Sequence, residues 1–91
     1  MYTLYNSDKA EEQLSYYKKR FPKIHRKCEE IFKNIARSPK EMLNHAKPLV
    51  DKAPREVWSR RLNDRDRVVY EKLEEEKEVF ILSCRGRYDD I

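Results

Sequence analysis

The segment that decides the fold contains three short apolar runs: Val57-Trp58-Ser59-Arg60-Arg61-Leu62, Arg67-Val68-Val69-Tyr70 and Val79-Phe80-Ile81-Leu82-Ser83-Cys84. β-Branched and aromatic residues dominate these runs, and polar segments of turn length separate them. The pattern predicts strands at 57–62, 67–71 and 79–84 that form an antiparallel meander. Because the third run is nearly all apolar, we expect it to be a central strand that is buried on both faces.

This predicted sheet carries an unusual load of arginine. All seven arginines beyond Pro54 lie in or beside it, and the planar guanidinium fork is suited to bidentate contact with phosphate. Alternation places Arg61 on the face of strand 57–62 opposite to Arg60. The register is open: a three-residue turn puts Arg61 opposite Arg67, whereas a two- or four-residue turn puts Leu62 there.

We expect several of these side chains to converge on a polyanion. The predicted group consists of Arg61, Arg67, Arg85, Arg87 and Tyr88. Clustered guanidinium groups repel one another, and an anionic partner offsets that repulsion. The alternative interpretation is a set of surface ion pairs with Asp64, Asp66, Glu71 and Asp89.

The N-terminal half predicts a short strand at 2–5 followed by two amphipathic helices at 8–20 and 23–37. Asn6, Ser7 and Asp8 are N-cap candidates, and Asp8 with Glu11 has the spacing of a capping box. The helices meet at Pro22, which suggests a helical hairpin laid across one sheet face. Residues 38–56 contain three prolines and predict a long connection, with one helical turn possible at 40–44.

Length and composition exclude several classes of protein. Ninety-one residues indicate one domain over residues 1–91, and the 21 basic residues against 17 acidic ones leave a modest net charge of +4. The single glycine, Gly86, excludes phosphate-binding loops and dinucleotide fingerprints. Cys28 and Cys84 have no metal-ligand spacing, and we expect both to be reduced and buried, as in a cytoplasmic protein. The sequence shows no signal peptide and no membrane span.

Three motifs of the C-terminal half identify a family resemblance. They are Trp58-Ser59-Arg60-Arg61, Arg67-Val68-Val69-Tyr70, and Cys84-Arg85 with Tyr88. The chain resembles the YoeB/Txe toxins of the RelE/ParE superfamily. The resemblance implies an α+β fold, RelE-like and microbial-RNase-like, in which an N-terminal two-helix hairpin packs on a twisted antiparallel β-sheet.

The resemblance also implies a function. Such proteins are toxins of type II toxin–antitoxin systems, and they are ribosome-dependent messenger RNA endoribonucleases that arrest translation without a metal or cofactor. The ribose 2′-hydroxyl attacks the adjacent phosphate, leaving a 2′,3′-cyclic or 3′-phosphate end and a 5′-hydroxyl. The implied partners are a cognate acidic antitoxin of the YefM/Phd type, the ribosome and messenger RNA, with a homodimer or a toxin–antitoxin hetero-oligomer possible.

Site roles follow from the same resemblance. Arg67 resembles the arginine that stabilises the transition-state phosphate, Arg61 a supporting phosphate contact, and Tyr88 the tyrosine that orients the substrate. Two positions depart from the pattern. Arg87 stands where the family has a histidine that acts as the general acid. Lys47 stands before Pro48-Leu49, where the family has a glutamate that acts as the general base.

These departures leave three hypotheses open, because arginine, with a pKa above about 12, is a poor proton donor. Lysines, arginines and the tyrosine can act without a glutamate–histidine pair. Alternatively Glu56 or His45 substitutes, or the chain is a RelE/ParE-fold binding protein without nuclease activity. The candidate catalytic residues are Arg67, Tyr88, Arg87 and Lys47, and the candidate phosphate contacts are Arg61, Arg60, Arg85 and Lys52.

Overall fold

Two helices cover one face of a mixed five-stranded sheet in the computed structural model, which describes residues 1–41 and 45–86. In chain order the elements are β1 (Thr3–Asn6), α1 (Asp8–Arg20), α2 (Pro22–Arg37), β2 (Lys47–Pro48), a 3₁₀ turn (Val50–Lys52), β3 (Glu56–Arg61), β4 (Arg67–Leu73) and β5 (Glu78–Ser83). The strand order across the sheet is β1-β5-β4-β3-β2. Within the described residues, no helix is long and apolar enough to cross a membrane.

The antiparallel meander predicted from the sequence is confirmed. β3 pairs antiparallel with β4 and β4 with β5, and Arg61 lies directly opposite Arg67, which selects one of the two predicted registers. β1 differs from the expectation of a wholly antiparallel sheet, because it pairs parallel to β5. Parallel pairing needs a crossover connection between the strands, and the rest of the sheet, with both helices, lies between β1 and β5 in the chain.

The helix bounds agree with the sequence pattern, and the N-cap of α1 is one of the three predicted candidates, although not the one with capping-box spacing. Ser7, not Asp8, is the N-cap: its hydroxyl accepts a hydrogen bond from the backbone N–H of Ala10 at 3.1 Å. The same hydroxyl donates to the Leu82 carbonyl at 2.9 Å, so the cap also joins α1 to β5. Ser7 has extended φ and ψ angles, as an N-cap requires, whereas Asp8 already belongs to the first helical turn.

The larger core lies between the helices and the sheet. It consists of Ala10, Tyr17, Cys28, Ile31, Ile35, Leu62, Val68, Tyr70, Val79, Ile81 and Cys84. Both cysteines are free and buried, as predicted. A smaller cluster of Leu49, Val57 and Val69 covers part of the opposite face of the sheet, which we call the open face.

β5 is an interior strand, as predicted, because it pairs with β1 and β4 on its two sides, but it is not buried on both faces, which corrects that part of the prediction. Its neighbour β1 is an edge strand, and β4 occupies the centre of the sheet. Val79 and Ile81 face the helices and are fully buried, but Phe80 on the open face is 37% exposed and its ring stacks on Tyr5 of β1. The apolar run in the sequence therefore reflects an aromatic pair at the surface as well as a core strand.

The connection between α2 and β3 is more ordered than its composition suggests. Its two-residue strand β2 pairs with β3, so that Lys47 lies opposite Ser59. The helical turn considered for residues 40–44 falls partly on residues 42–44, which lie outside the described residues.

Candidate phosphate-binding site

The open face carries cationic side chains from three neighbouring strands. Side chains alternate along a strand, so Ser59 and Arg61 of β3 share the open face with Val57. Directly opposed residues in an antiparallel pair point to the same side, which places Arg67 of β4 and Lys47 of β2 there as well. Three cations thus surround Ser59.

Arg67 is the most closely held member of this group. Its Nε donates to Ser59 Oγ at 3.0 Å, and its Nη2 donates to the His45 carbonyl at 3.1 Å. His45 has a positive φ of 53°, which is uncommon for a residue with a side chain. Both acceptors are neutral oxygens, and these two contacts fix the orientation of the guanidinium group.

Arg61 is the exposed neighbour of Arg67. Within residues 1–41 and 45–86, no carboxylate lies within ion-pair distance of Arg61. Arg61, Arg67 and the exposed Lys47 lie on one small surface, and clustered cations of this kind attract an anionic group such as phosphate. Lys52 lies beyond them at the end of the 3₁₀ turn, and its side chain is half-buried.

Arg60 is not part of this surface, which corrects its assignment as a phosphate contact. It is fully buried on the helix side of β3. Its guanidinium group donates to Asn34 Oδ1, to the Ser38 carbonyl at 2.8 Å and to Tyr70 Oη at 3.1 Å. Tyr70 Oη in turn donates to the Pro39 carbonyl at 2.7 Å. Arg60 therefore attaches the chain after α2 to the sheet.

Arg85 does not converge with Arg61 and Arg67 as predicted. Its guanidinium carbon lies 4.2 Å from the ring centroid of Tyr16, on α1, in a cation–π contact. The side chain thus packs against the helix layer and not on the open face. The other two members of the predicted group, Arg87 and Tyr88, lie outside the described residues.

The structure separates the two alternative bases. Glu56 shares the helix side of β3 with Arg60, and Lys72 and Lys40 pair with it at 3.1 and 3.5 Å. The hydrogen bond from Lys72 holds the pKa of Glu56 below its ordinary value. Glu56 is therefore on the wrong face to act beside Arg67. His45 does reach the site, but through its backbone carbonyl.

The alternative interpretation of surface ion pairs holds for other arginines. Arg55 pairs with Glu71 through two hydrogen bonds of 3.2 and 2.8 Å, and Arg65 lies 3.9 Å from Asp66. Neither pair involves the open-face arginines. The predicted ion pairing therefore accounts for Arg55 and Arg65 but, within the described residues, not for Arg61, and Asp89 of the predicted set lies outside those residues.

Sequence reasoning missed the two groups that orient Arg67. Ser59 was detectable, because strand alternation puts it on the face of Arg61, two residues away. The His45 carbonyl was not detectable, because its position depends on the path of an irregular segment.

The buried thiol of Cys84 is a poor nucleophile, because contact with Cys28 and burial raise its pKa. In the part of the chain that the structure describes, no three His, Cys, Asp or Glu residues form a metal-binding group.

Comparison with known proteins gives a family match over most of the chain. A family profile described as the YoeB-like toxin of bacterial type II toxin–antitoxin systems matches residues 6–88. The matched range includes both helices and strands β2 to β5. No curated protein matches the chain.

Solved toxin structures resemble the chain over almost its full length. A YoeB/ParE toxin from Agrobacterium tumefaciens superposes with a TM-score of 0.83 at 22% identity, covering 94% of this chain and 99% of that one. A YoeB dimer from Staphylococcus aureus gives 0.81 at 27% identity, covering 96% and 98%. A YoeB–YefM heterotetramer from the same organism gives 0.78 at 27% identity, covering 97% and 99%. The predicted α+β fold is confirmed.

Proposed function

Because the chain belongs to the YoeB-like toxins of bacterial type II toxin–antitoxin systems, as the sequence motifs predicted, we propose that it is a ribosome-dependent endoribonuclease that cleaves messenger RNA. The observation that carries the proposal is the pairing of Arg61 with Arg67 on the open face, with Arg67 oriented by Ser59 and the His45 carbonyl. This arrangement suits a phosphodiester that gains charge during reaction.

In the proposed reaction the ribose 2′-oxygen attacks the neighbouring phosphorus atom. Negative charge develops on the non-bridging oxygens, the bond to the 5′-oxygen breaks, and the 5′-oxygen leaves with a proton. Arg67 donates hydrogen bonds to the charged oxygens, and Arg61 holds the same phosphate from the opposite strand. Stabilisation of this kind is usually the largest single contribution to catalysis, and it needs neither a metal nor a cofactor.

Proton transfer falls to residues near the arginine pair. Lys47 occupies the position of the family's glutamate and lies opposite Ser59, so we assign its neutral amine, with Lys52 as the second candidate, to accept the 2′-hydroxyl proton, while water protonates the departing 5′-oxygen. Tyr88 orients the substrate, and Arg87 contributes charge near the leaving oxygen. Lys47 and Arg87 are the two positions that differ from the family pattern, and both are basic. Electrostatic stabilisation therefore contributes more to this reaction, and proton transfer less, than in relatives with a carboxylate–imidazole pair.

The same positive surface suits an acidic antitoxin. The Staphylococcus aureus relative is seen both as a dimer and bound to YefM, and we propose a comparable acidic partner for this chain. An acidic segment laid over Lys47, Arg61 and Arg67 blocks the phosphate site, so antitoxin binding and RNA binding exclude each other. Action on ribosomes places the toxin in the cytoplasm.

Cleavage of messenger RNA on programmed ribosomes tests the proposal. We expect the parent protein to produce new 5′-hydroxyl ends in the A-site codon, and Arg67→Ala to slow that cleavage by about 10²- to 10³-fold, the effect of removing one transition-state donor. Arg65→Ala is the matched control, because Arg65 is an exposed arginine in the turn before Arg67. Parental rates in Arg67→Ala contradict the assignment of Arg67.

Lys47 and Arg87 also favour a second candidate, a binding protein of the same fold that has lost cleavage. That function predicts tight antitoxin binding and no new RNA ends at any codon. Primer-extension mapping of RNA from bacteria expressing the chain decides between the two, because growth arrest without codon-positioned ends is expected only of the second.

A further inference from the structure

The backbone N–H and the backbone carbonyl of Gly86, the residue before Arg87 and Tyr88 in the sequence, both form hydrogen bonds. Its N–H donates to Asp66 Oδ1 at 2.9 Å, and its carbonyl accepts from the backbone N–H of Arg67 at 3.0 Å. We call these two hydrogen bonds the exit clamp. Gly86 has a φ of 84°, a conformation that glycine adopts without steric cost.

Asp66, the last residue of the turn between β3 and β4, is unusual for a surface turn. It is 2% exposed although carboxylates are rarely buried, and burial of a charge needs hydrogen bonds to compensate it. One oxygen accepts from Gly86 N–H, and the other accepts from Asn63 Nδ2 at 3.0 Å. The bond to Asn63 is local to the turn, whereas the bond to Gly86 and an interaction with the Tyr17 hydroxyl link this carboxylate to distant parts of the chain.

The residues just before Gly86 are also held, from the helix side. Cys84 N–H donates to Gln13 Oε1 at 2.7 Å, and the Cys84 carbonyl accepts from Tyr17 Oη at 2.8 Å. Burial and the nearby Asp66 charge raise the pKa of Tyr17, so its hydroxyl remains a donor. The chain therefore leaves β5 along a path fixed by α1 on one side and by the β3–β4 turn on the other.

We propose that Asp66 is a positioning residue: through the exit clamp it fixes Gly86, two residues before Tyr88 in the sequence, against the backbone of Arg67. The inference rests on the proposed nuclease function. The clamp joins the backbone of the phosphate-stabilising arginine directly to the start of the segment that carries the substrate-orienting tyrosine. Such placement matters, because a displacement of about 1 Å in a catalytic group can slow a reaction about 10²-fold.

The single glycine of the chain allows the clamp to be observed directly. Protein labelled with ¹⁵N-glycine gives one backbone amide signal, that of Gly86. In the parent we expect slow hydrogen exchange of this amide, and in Asp66→Ala an acceleration of about tenfold or more, as for loss of a hydrogen bond to a charged group. Asp64→Ala, in the same turn but exposed, should leave the exchange unchanged. Fast exchange in the parent overturns the clamp.

Two conservative variants separate positioning from folding. Asp66→Asn keeps an acceptor for Gly86 and gives up the bond to Asn63, so we expect it to retain slow exchange and most of the cleavage rate. Asp66→Glu keeps the charge but moves the acceptor by one methylene, so we expect a folded protein with faster exchange. Its cleavage rate on saturating ribosomes should fall about tenfold or more, with ribosome affinity within about threefold of the parent.

The outcomes distinguish this inference from the proposed function. If the parent does not cleave, the proposed function is wrong and the positioning role falls with it, whatever the glycine signal shows. If the parent cleaves and Asp66→Glu or Asp66→Ala loses slow exchange but cleaves at the parental rate, the inference alone is wrong. Equal loss of cleavage in Asp66→Asn and Asp66→Glu, with slow exchange kept in Asp66→Asn, also overturns it.

Discussion

Arg60 and Arg61 are adjacent in the sequence and have opposite environments. Alternation along β3 correctly predicted that they lie on opposite faces, and the register of Arg61 against Arg67 was one of two that the sequence allowed. What could not be predicted is which face the helices cover, and that backbone carbonyls after α2 meet a buried guanidinium group. The sequence therefore located the arginine pair but also counted Arg60 among the phosphate contacts.

Substitution of each arginine by methionine measures the difference between them. Arg60→Met keeps the length of the side chain but leaves Asn34 Oδ1 and the Ser38 carbonyl without their donor. Since each unsatisfied buried group costs about 1–3 kcal/mol, we expect a loss of about 3 kcal/mol in the free energy of unfolding. Arg61→Met should change it by less than about 0.5 kcal/mol. Urea unfolding followed by circular dichroism checks both, and equal losses contradict the structural role of Arg60.

At the scale of elements, periodicity predicted α1 and α2 well because each buries a continuous apolar stripe. It predicted contacts between elements less well. The parallel pairing of β1 with β5 and the exposed Phe80 depend on which strands become neighbours, and spacing along the chain does not contain that information. The cap of α1 is a related case: the hydroxyl of Ser7 also bonds to Leu82, 75 residues away.

The cap can be tested by a matched pair of alanine variants. Ser7→Ala removes the bonds to Ala10 N–H and to the Leu82 carbonyl, so we expect a loss of about 1–2 kcal/mol in the free energy of unfolding. Asp8→Ala removes only a favourable charge in the first helical turn, an effect that salt screens. Measured in 0.5 M NaCl by thermal and urea unfolding, Asp8→Ala should approach the parent. A larger loss for Asp8→Ala than for Ser7→Ala contradicts the observed cap.

At the scale of the whole molecule, one ionic network joins segments that are far apart in the chain. Lys72 of β4 is buried and pairs with Glu56 of β3 at 3.1 Å and with Glu74 at 2.8 Å. Tyr2, ahead of β1, donates to Glu74 at 2.6 Å. Burial lowers the pKa of Lys72, but the hydrogen bonds to Glu74 and Glu56 outweigh it and the net pKa is raised. The sequence showed the acidic turn that contains Glu74, but it did not show that Lys72 is the partner of Glu74 and Glu56, because that pairing depends on the strand register.

This network predicts how the stability of the protein depends on pH. Hydrogen bonds from Lys72 hold the pKa of Glu74 and of Glu56 below the ordinary value of 4.5. A carboxylate with a lowered folded-state pKa stabilises the fold fully above its unfolded-state pKa, and that stability is lost as the pH falls further. We therefore expect Glu56→Gln to be less stable than the parent at pH 7, by no more than about 1 kcal/mol because Glu56 is partly exposed.

The difference between Glu56→Gln and the parent should shrink as the pH falls below 4.5, because the unfolded parent then binds a proton at Glu56, and below the lowered pKa the folded parent also protonates Glu56 and loses the same ion pair. Glu30→Gln, an exposed change on α2, is the control for the removal of one negative charge from the molecule. Urea midpoints measured from pH 7 to pH 2.5 give the comparison. A Glu56→Gln profile that runs parallel to the parent over this whole range contradicts the role of Glu56 in the network, and would leave Glu74 as the partner that keeps the buried Lys72 charged.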